Sequence, residues 1–204
     1  EKYTEAAQLK AAVKDADALI IRSDLASKEI IEAASQLKII VRAGAGYDNI
    51  DLAAATAHKI VAMNTPGQNA NAVAELAFGM MVYIARCKFN GKSGSELMGK
   101  KLGLHAYGNV GRNVARIAKG FGMEVYAFAR SVPAEKIEAE GVKAVKSVEE
   151  LYSTCLYVSL HIPANDQTKK SINFDLLNRM PKGAVLVNTA RKEVVCEESL
   201  KKLF

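Results

Sequence analysis

Between Leu104 and Arg112 the chain reads LHAYGNVGR, with glycine at positions 108 and 111. The run follows an apolar stretch of strand length and opens a stretch with helical spacing. A strand-to-helix turn of this kind aims free backbone N–H groups and the positive end of a helix dipole at an anion. Three glycines normally share the work of holding a dinucleotide: one makes the tight turn, one admits the diphosphate against the backbone, and one allows close helix–strand packing. Gly108 and Gly111 can fill the second and third positions, with Asn109 and Val110 between them. Ala106 stands at the first, where a positive φ would cost alanine roughly 1–2 kcal/mol.

The next strand carries a second clue. A carboxylate about 20 residues further on normally binds the adenosine ribose. Here the strand ends Ala127-Phe128-Ala129-Arg130-Ser131, without an acid. A guanidinium and a hydroxyl at Ala129, Arg130 and Ser131 suit a ribose 2′-phosphate, so NADP(H) is one expectation. NAD(H) bound without its usual ribose partner, with Arg130 solvated, is the other.

These residues need a scaffold, and the hydrophobic pattern supplies one. Short apolar runs at 18–22, 37–42 and 60–63 alternate with helical stretches at 3–15, 28–34 and 52–58. That alternation predicts a parallel sheet covered on both faces. Turn residues Asn64-Thr65-Pro66-Gly67 interrupt it. A long helix follows, with Val73, Leu76, Ala77, Met80, Met81 and Ile84 as its apolar stripe and Asn69 or Asn71 as its cap. A polar, glycine-containing stretch at 90–94 marks a domain boundary. The alternation then resumes, with strands at 102–106, 124–128, 156–160 and 184–187 and helices at 109–119, 147–153, 174–180 and from 197. The fold class is α/β.

The bulk numbers narrow the partners. Of 204 residues half are hydrophobic and a quarter charged, with a formal charge of +6. Lys and Arg are scattered among acids rather than blocked, so a nucleic-acid surface is not expected, whereas a small anionic substrate is compatible. No apolar run reaches about 18 residues, so no membrane span is expected. No signal peptide opens the chain, and Cys87, Cys155 and Cys196 form no CxxC pair; reduced thiols in a cytoplasmic protein are the simplest expectation. The chain begins at Glu1 and stops inside a helical stretch, so a fragment of a longer protein is expected.

Four segments in register with AYGNVGR resemble the D-isomer-specific 2-hydroxyacid dehydrogenase family: RAGAGYDNID (42–51), NTPGQNANAVAELAFGMM (64–81), SLHIP (159–163) and VLVNTARKEVV (185–195). The resemblance covers nearly the whole chain. It implies two Rossmann-like parallel-sheet domains with a cleft between them, both truncated. Residues 1–90 would be the substrate domain without its first strand and helix. Residues 91–204 would be the NAD(P)-binding domain without its last strands. The helix at 70–86 would serve as hinge and homodimer element.

The implied activity is hydride transfer between a nicotinamide cofactor, NAD or NADP, and a small D-2-hydroxy acid. The expected reaction takes 3-phosphoglycerate to 3-phosphohydroxypyruvate, as in serine synthesis; glyoxylate and hydroxypyruvate are alternative substrates. A non-enzymatic NAD(H)-sensing corepressor is the alternative of another class. By resemblance, Arg191 is the catalytic arginine, able to fork onto carboxylate and 2-oxygen. Arg22, Ser23, Gly44, Ala45, Gly46 and Asn69 match substrate contacts. Val73, Gly108, Asn109, Val110, Gly111, Ala129, Arg130, Ser131, His161, Pro163, Thr168, Asn188, Thr189 and Ala190 match cofactor positions. No metal is implied. The pattern departs from the family at Lys192-Glu193, where small residues are usual. It also lacks the histidine that normally serves as acid–base: His58 reads as exposed, His105 as packed core, and His161 as a cofactor neighbour.

Overall fold

The computed structural model describes residue 3 and residues 5–203. The chain falls into two compact units that part between Asn69 and Ala70.

The first unit is built on a three-stranded parallel sheet in the order β1-β2-β3, with β1 at Ala18–Ile21, β2 at Ile39–Arg42 and β3 at Val61–Asn64. Ile21, Arg42 and Asn64 share one register row at its C-terminal edge. Helices α1 (Ala6–Ala12), α2 (Lys28–Ala33) and α3 (Leu52–Ala57) enclose a core of Leu9, Val13, Ile21, Ile30, Ile31, Ile40 and Ala55. Local chemistry sets the helix starts. Glu5 and Gln8 form a capping box on α1, and the Asp51 carboxylate accepts from Ala54 N at 2.9 Å on α3. The expectation of a sheet covered on both faces is corrected here. Ile20, Val61 and Met63 point to the other face, where they are 73%, 55% and 51% exposed. The period-two alternation of a strand puts them there, opposite the helix-facing Ile21 and Ile40.

The second unit is a five-stranded parallel sheet in the order β6-β5-β4-β7-β8. Its strands are β4 (Lys101–His105), β5 (Glu124–Phe128), β6 (Lys143–Ala144), β7 (Tyr157–Leu160) and β8 (Val185–Asn188). Both faces are covered. Helices α4 (Ala70–Ala85) and α5 (Asn109–Gly120) close over Leu102, Leu104, Val125 and Ala127 on one side. On the other, α7 (Val148–Thr154) and α8 (Phe174–Leu177) pack against Val158 and Leu160. Burial of all four β7 positions explains why that strand reads as an unbroken apolar run. Helices α6 (Ala134–Ala139) and α9 (Glu197–Lys201) complete the unit. No helix among the described residues is long and apolar enough to cross a membrane.

The long helix needs one correction. Its buried face is Ala70, Ala74, Ala77, Phe78, Met81 and Ala85. Leu76, Met80 and Ile84, expected in the stripe, are 58%, 40% and 43% exposed. The helix is apolar nearly all round, so spacing alone does not choose a face. Alanines at 70, 74 and 77 let its backbone come close to its neighbours, and that face wins. The sequence places the boundary near 90. In the structure α4 groups with the second unit, packed on α5 and joined to it by Arg116 Nη2 donating to Asn71 Oδ1 at 2.6 Å. Asn71 is thus a link to α5, and Asn69 occupies the residue before the helix.

Candidate active site

Strand order in the second unit changes direction between β4 and β7. From β4 the chain winds outward to β5 and β6, then returns to place β7 and β8 on the other side. Open parallel sheets bind ligands at such a switch, outside the C-terminal ends of the strands. Register puts Phe128, His105, Leu160 and Asn188 in one row at that edge. The loops that leave it hold nearly every residue matched to the cofactor.

The glycine turn divides its labour as the motif requires. Ala106 has φ +85, the left-handed conformation a glycine would hold without strain. Gly108 is exposed, and a Cβ built there would meet nothing within 4 Å. Gly111 is buried, and a Cβ there would sit 2.6 Å from the Ala106 carbonyl oxygen. The first position therefore turns the chain, the second leaves room beside the backbone, and the third lets α5 lie on β4. No side chain caps α5 at Gly108, so its first N–H groups remain available to an anion. Asn109 is exposed on the opening turn, and Val110 packs against the core.

Tyr107 anchors this turn from below. It is buried, and its hydroxyl donates to Glu140 Oε2 at 2.9 Å, while Arg112 Nε donates to Glu140 Oε1 at 2.9 Å. The Tyr107 hydrogen bond, with the Arg112 guanidinium, holds the Glu140 carboxyl below its ordinary range; burial pushes the Tyr107 phenol up.

Across the row, Arg130 is exposed after β5, and its Nη1 donates to Gln167 Oε1 at 3.1 Å. Ala129 is half-buried and Ser131 exposed. His161, just after β7, and Thr189, just after β8, each carry a buried polar atom, Nε2 and Oγ1, that makes no hydrogen bond among the described residues. Orphaned buried polar atoms are uncommon and mark places where a ligand completes the bonding. With the open space at Gly108, they fit a bound dinucleotide. Thr168 is differently employed: its hydroxyl donates to Pro163 O and accepts from Asn165 N at 2.8 Å, which pins the 163–168 loop. Asn188 shapes the last loop. It donates to Arg191 O at 2.8 Å and accepts from Ala190 N at 3.0 Å, and Arg191 Nη1 donates to Ala190 O at 3.0 Å.

Neither histidine here is a proton donor at neutral pH. His105 Nδ1 faces the Tyr152 hydroxyl at 3.2 Å. Burial, with Arg130 nearby, lowers its pKa to about 4; burial, with His105 nearby, lowers that of His161 to about 4. His58 is exposed at the end of α3. No group of three or more metal-ligating side chains occurs among the described residues.

The C-terminal edge of the first unit's sheet holds Arg22, Ser23 and the Gly44–Gly46 loop, whereas Asn69 lies directly before α4. Asn64 Nδ2 donates to Ala45 O at 2.7 Å, and Thr65 N donates to Gly44 O at 2.9 Å, which secures the 44–46 loop. Asn49 Nδ2 donates to Asp24 O at 2.7 Å and Arg22 O at 3.4 Å, tying that segment to the Arg22-Ser23 turn. Neither Asn49 nor Asn64 stands out in the sequence as a loop-shaping residue; an asparagine beside a glycine loop is the signal that marks them. A cavity of about 160 Å³ beside this loop is walled by Tyr47, Ile50, Met63 and Asn64 among others. A larger one, about 720 Å³, lies along the outer side of β8 between Leu177, Met180, Leu186, Val195 and Leu200. Of the residues matched to the cofactor it borders Asn188 but none of Gly108, Arg130 and His161, so its size does not make it the cofactor site.

With this geometry in place, the likenesses to known proteins are specific. Residues 84–204 match the D-isomer specific 2-hydroxyacid dehydrogenase, NAD binding domain. The chain is 37% identical to a hydroxypyruvate reductase of Thermotoga maritima, over 98% of this chain and 68% of that protein. It is 36% identical to a D-3-phosphoglycerate dehydrogenase of Methanocaldococcus jannaschii, over 92% of this chain and 38% of that one. Among solved structures, an NAD+-bound 3-phosphoglycerate dehydrogenase of Entamoeba histolytica superposes with a TM-score of 0.91 at 44% identity, covering 98% of this chain and 64% of that one. The chain belongs to the D-isomer specific 2-hydroxyacid dehydrogenase family, and its second unit carries that family's NAD-binding domain. It spans about two thirds of the reductase and well under half of the Methanocaldococcus dehydrogenase.

Proposed function

We propose that the protein is an NAD(P)-dependent D-2-hydroxyacid dehydrogenase that oxidises 3-phosphoglycerate to 3-phosphohydroxypyruvate. The observation that carries this reading is the Ala106–Gly111 turn, open at Gly108 and set at the switch between β4 and β7. When bound, the nicotinamide cofactor accepts the hydride from the substrate's C2. The uncapped start of α5 holds the diphosphate, and Thr189 and His161 complete their bonding on the cofactor. Arg191 grips the carboxylate and 2-oxygen through its planar fork, in an orientation set by Asn188. Backbone N–H groups of the Gly44–Gly46 loop, with Arg22 and Ser23, hold the substrate's anionic ends. The proton from the 2-hydroxyl goes to a base other than His105 or His161, since both are buried and already disfavour protonation. Arg130 beside Gln167 also gives a 2′-phosphate a partner, so NADP(H) is accepted as well as NAD(H).

The test is an assay of the full-length protein with 3-phosphoglycerate and each oxidised cofactor, read by absorbance of the reduced nicotinamide. Reduction is expected, and Arg191→Lys should lower kcat/KM by about 10²–10³. No turnover of 3-phosphoglycerate, hydroxypyruvate or glyoxylate would overturn the enzyme reading in favour of a sensing role. NADH binding at least about tenfold tighter than NADPH would remove the NADP part.

The exposed stripe Leu76, Met80, Tyr83 and Ile84 on α4 repeats at helical spacing and fits a second copy of the chain. We infer a homodimer through the 70–86 region. A double substitution, Leu76→Lys with Met80→Lys, should then halve the mass seen in sedimentation; an unchanged mass rejects that interface.

A further inference from the structure

The turn into α5 stands in a conformation that one of its own residues disfavours. Ala106 has φ +85, and a left-handed alanine persists only where its surroundings over-determine it. Backbone bonds secure the two ends of the turn: Ala106 N donates to Phe128 O at 2.9 Å, and Arg112 N donates to Gly108 O at 3.0 Å. They leave the torsions of Ala106 and Tyr107 to be set between them.

The side chain of Tyr107 meets that need, and Glu140 holds it. The buried ring lies against α5, where a Cβ built on Gly111 would stand 3.7 Å from Tyr107 Cδ2. Arg112 Cζ lies 5.4 Å from the centre of the ring on its face. The Tyr107 hydroxyl donates to Glu140 Oε2 and Arg112 Nε donates to Glu140 Oε1, each at 2.9 Å. One carboxylate, 33 residues further along the chain than Tyr107, thus takes a donor from each side of Gly108. Glu140 is itself well placed to hold still. It directly follows α6, whose Ile137 is buried in one core with Val114 and Ala118 of α5, and Lys119 Nζ donates to the Glu140 carbonyl oxygen. Stability alone does not account for the arrangement. The Arg112–Glu140 ion pair is open to solvent, where such pairs contribute little. The bond from the buried Tyr107 to a carboxylate is charge-assisted and directional, which suits it to fixing a geometry.

We propose that Glu140 is a positioning residue for the cofactor: through Tyr107 and Arg112 it keeps the Ala106–Gly111 turn left-handed and open, and so sets cofactor affinity without touching the cofactor. This rests on the reading that places the diphosphate at this turn. Without the tether Ala106 relaxes toward negative φ. Only the fraction of molecules still left-handed then binds, and the apparent Kd rises by the inverse of that fraction.

The test is the NADH affinity of the full-length protein, read by fluorescence titration, for Glu140→Ala, Glu140→Gln and Tyr107→Phe, each made alone and together with Ala106→Gly. Made alone, Glu140→Ala and Tyr107→Phe should each raise the Kd by about 5- to 30-fold, the Boltzmann factor of the left-handed strain released. Glu140→Gln, whose amide oxygen still accepts from Tyr107, should recover part of the loss. With Ala106→Gly the left-handed form needs no holding, and the same substitutions should change the Kd by less than about twofold. The KM for NAD should rise in step with the Kd, while kcat at saturating cofactor stays within about threefold. Equal losses in both backgrounds, or a lower melting temperature with the Kd intact, overturn the proposal and leave a structural contact. Tighter binding in Glu140→Ala overturns it as well, since the freed Arg112 charge would then act on the diphosphate directly. Should Glu140→Ala fail to fold, Tyr107→Phe keeps the ring and carries the test. If the wild type binds no NADH, the cofactor reading fails by itself. The tether is then judged by hydrogen exchange at the Ala106 and Arg112 amides: faster exchange in Glu140→Ala than in the wild type upholds it, and unchanged exchange overturns it.

Discussion

Gly108→Val is expected to weaken NADH binding by at least about a hundredfold while leaving the protein folded. The backbone at Gly108 has φ −92 and ψ −155, an extended conformation that valine adopts without strain. Its Cβ would meet nothing within 4 Å. The fold therefore loses only the difference between glycine and valine as the residue before α5, up to about 1 kcal/mol. On the proposed reading, in contrast, the diphosphate would be held beside the Gly108 backbone, in the open space that the isopropyl group would fill. Neighbouring positions should behave in the opposite sense. Gly111→Ala puts its Cβ 2.6 Å from the Ala106 carbonyl oxygen, so α5 must move off β4; a loss of roughly 1–3 kcal/mol follows. Ala106→Gly relieves about 1–2 kcal/mol of left-handed strain and returns about 0.4–1 kcal/mol of it as unfolded-state entropy. A net gain of about 0.5–1 kcal/mol remains by those same terms. Urea midpoints and a fluorescence titration with NADH separate the three. A Gly108→Val protein that binds NADH like the wild type would remove the diphosphate from this turn.

The glycine turn was legible because its three duties are local: φ, room beside the chain, and helix–strand contact all fall within six residues. The strands at 18–21, 39–42, 124–128 and 157–160 were legible too, because burial on both sides or alternation leaves an apolar signature. What escaped depends on distant partners. Strand β6 has two residues and exists by pairing with Tyr126 and Ala127, so no pattern within it marks a strand. Helix α6, six residues with only Ile137 buried, carries no stripe. The face that α4 buries is chosen by its packing on α5, which its own spacing does not contain. Arg191 and Asn188 sit three residues apart, yet only the structure shows that the asparagine shapes the loop carrying the arginine.

The same C-terminal edge should make the protein sensitive to mild acid. His105 and His161 titrate near pH 4 in the folded chain, because burial disfavours their charged forms and Arg130 adds to the effect at His105. In the unfolded chain both return to about 6.5. Between those values the unfolded state binds more protons than the folded one, so stability rises with pH there. The contribution is complete above about pH 6.5 and is lost progressively as pH falls toward 4, at up to about 3 kcal/mol for each histidine. Carboxylates held low, such as Glu140 paired with Tyr107 and Arg112, lose their contribution only lower in pH, through their own folded values. The two causes therefore separate along the pH axis. His105→Gln keeps a partner for the Tyr152 hydroxyl and removes one titrating group. Urea unfolding at pH 7, 5.5 and 4 should show the wild type losing several kcal/mol over that range and the variant about half as much, with the two curves parallel below pH 4. Equal losses in both proteins would assign the acid sensitivity to the carboxylates and return His105 to a purely packing role.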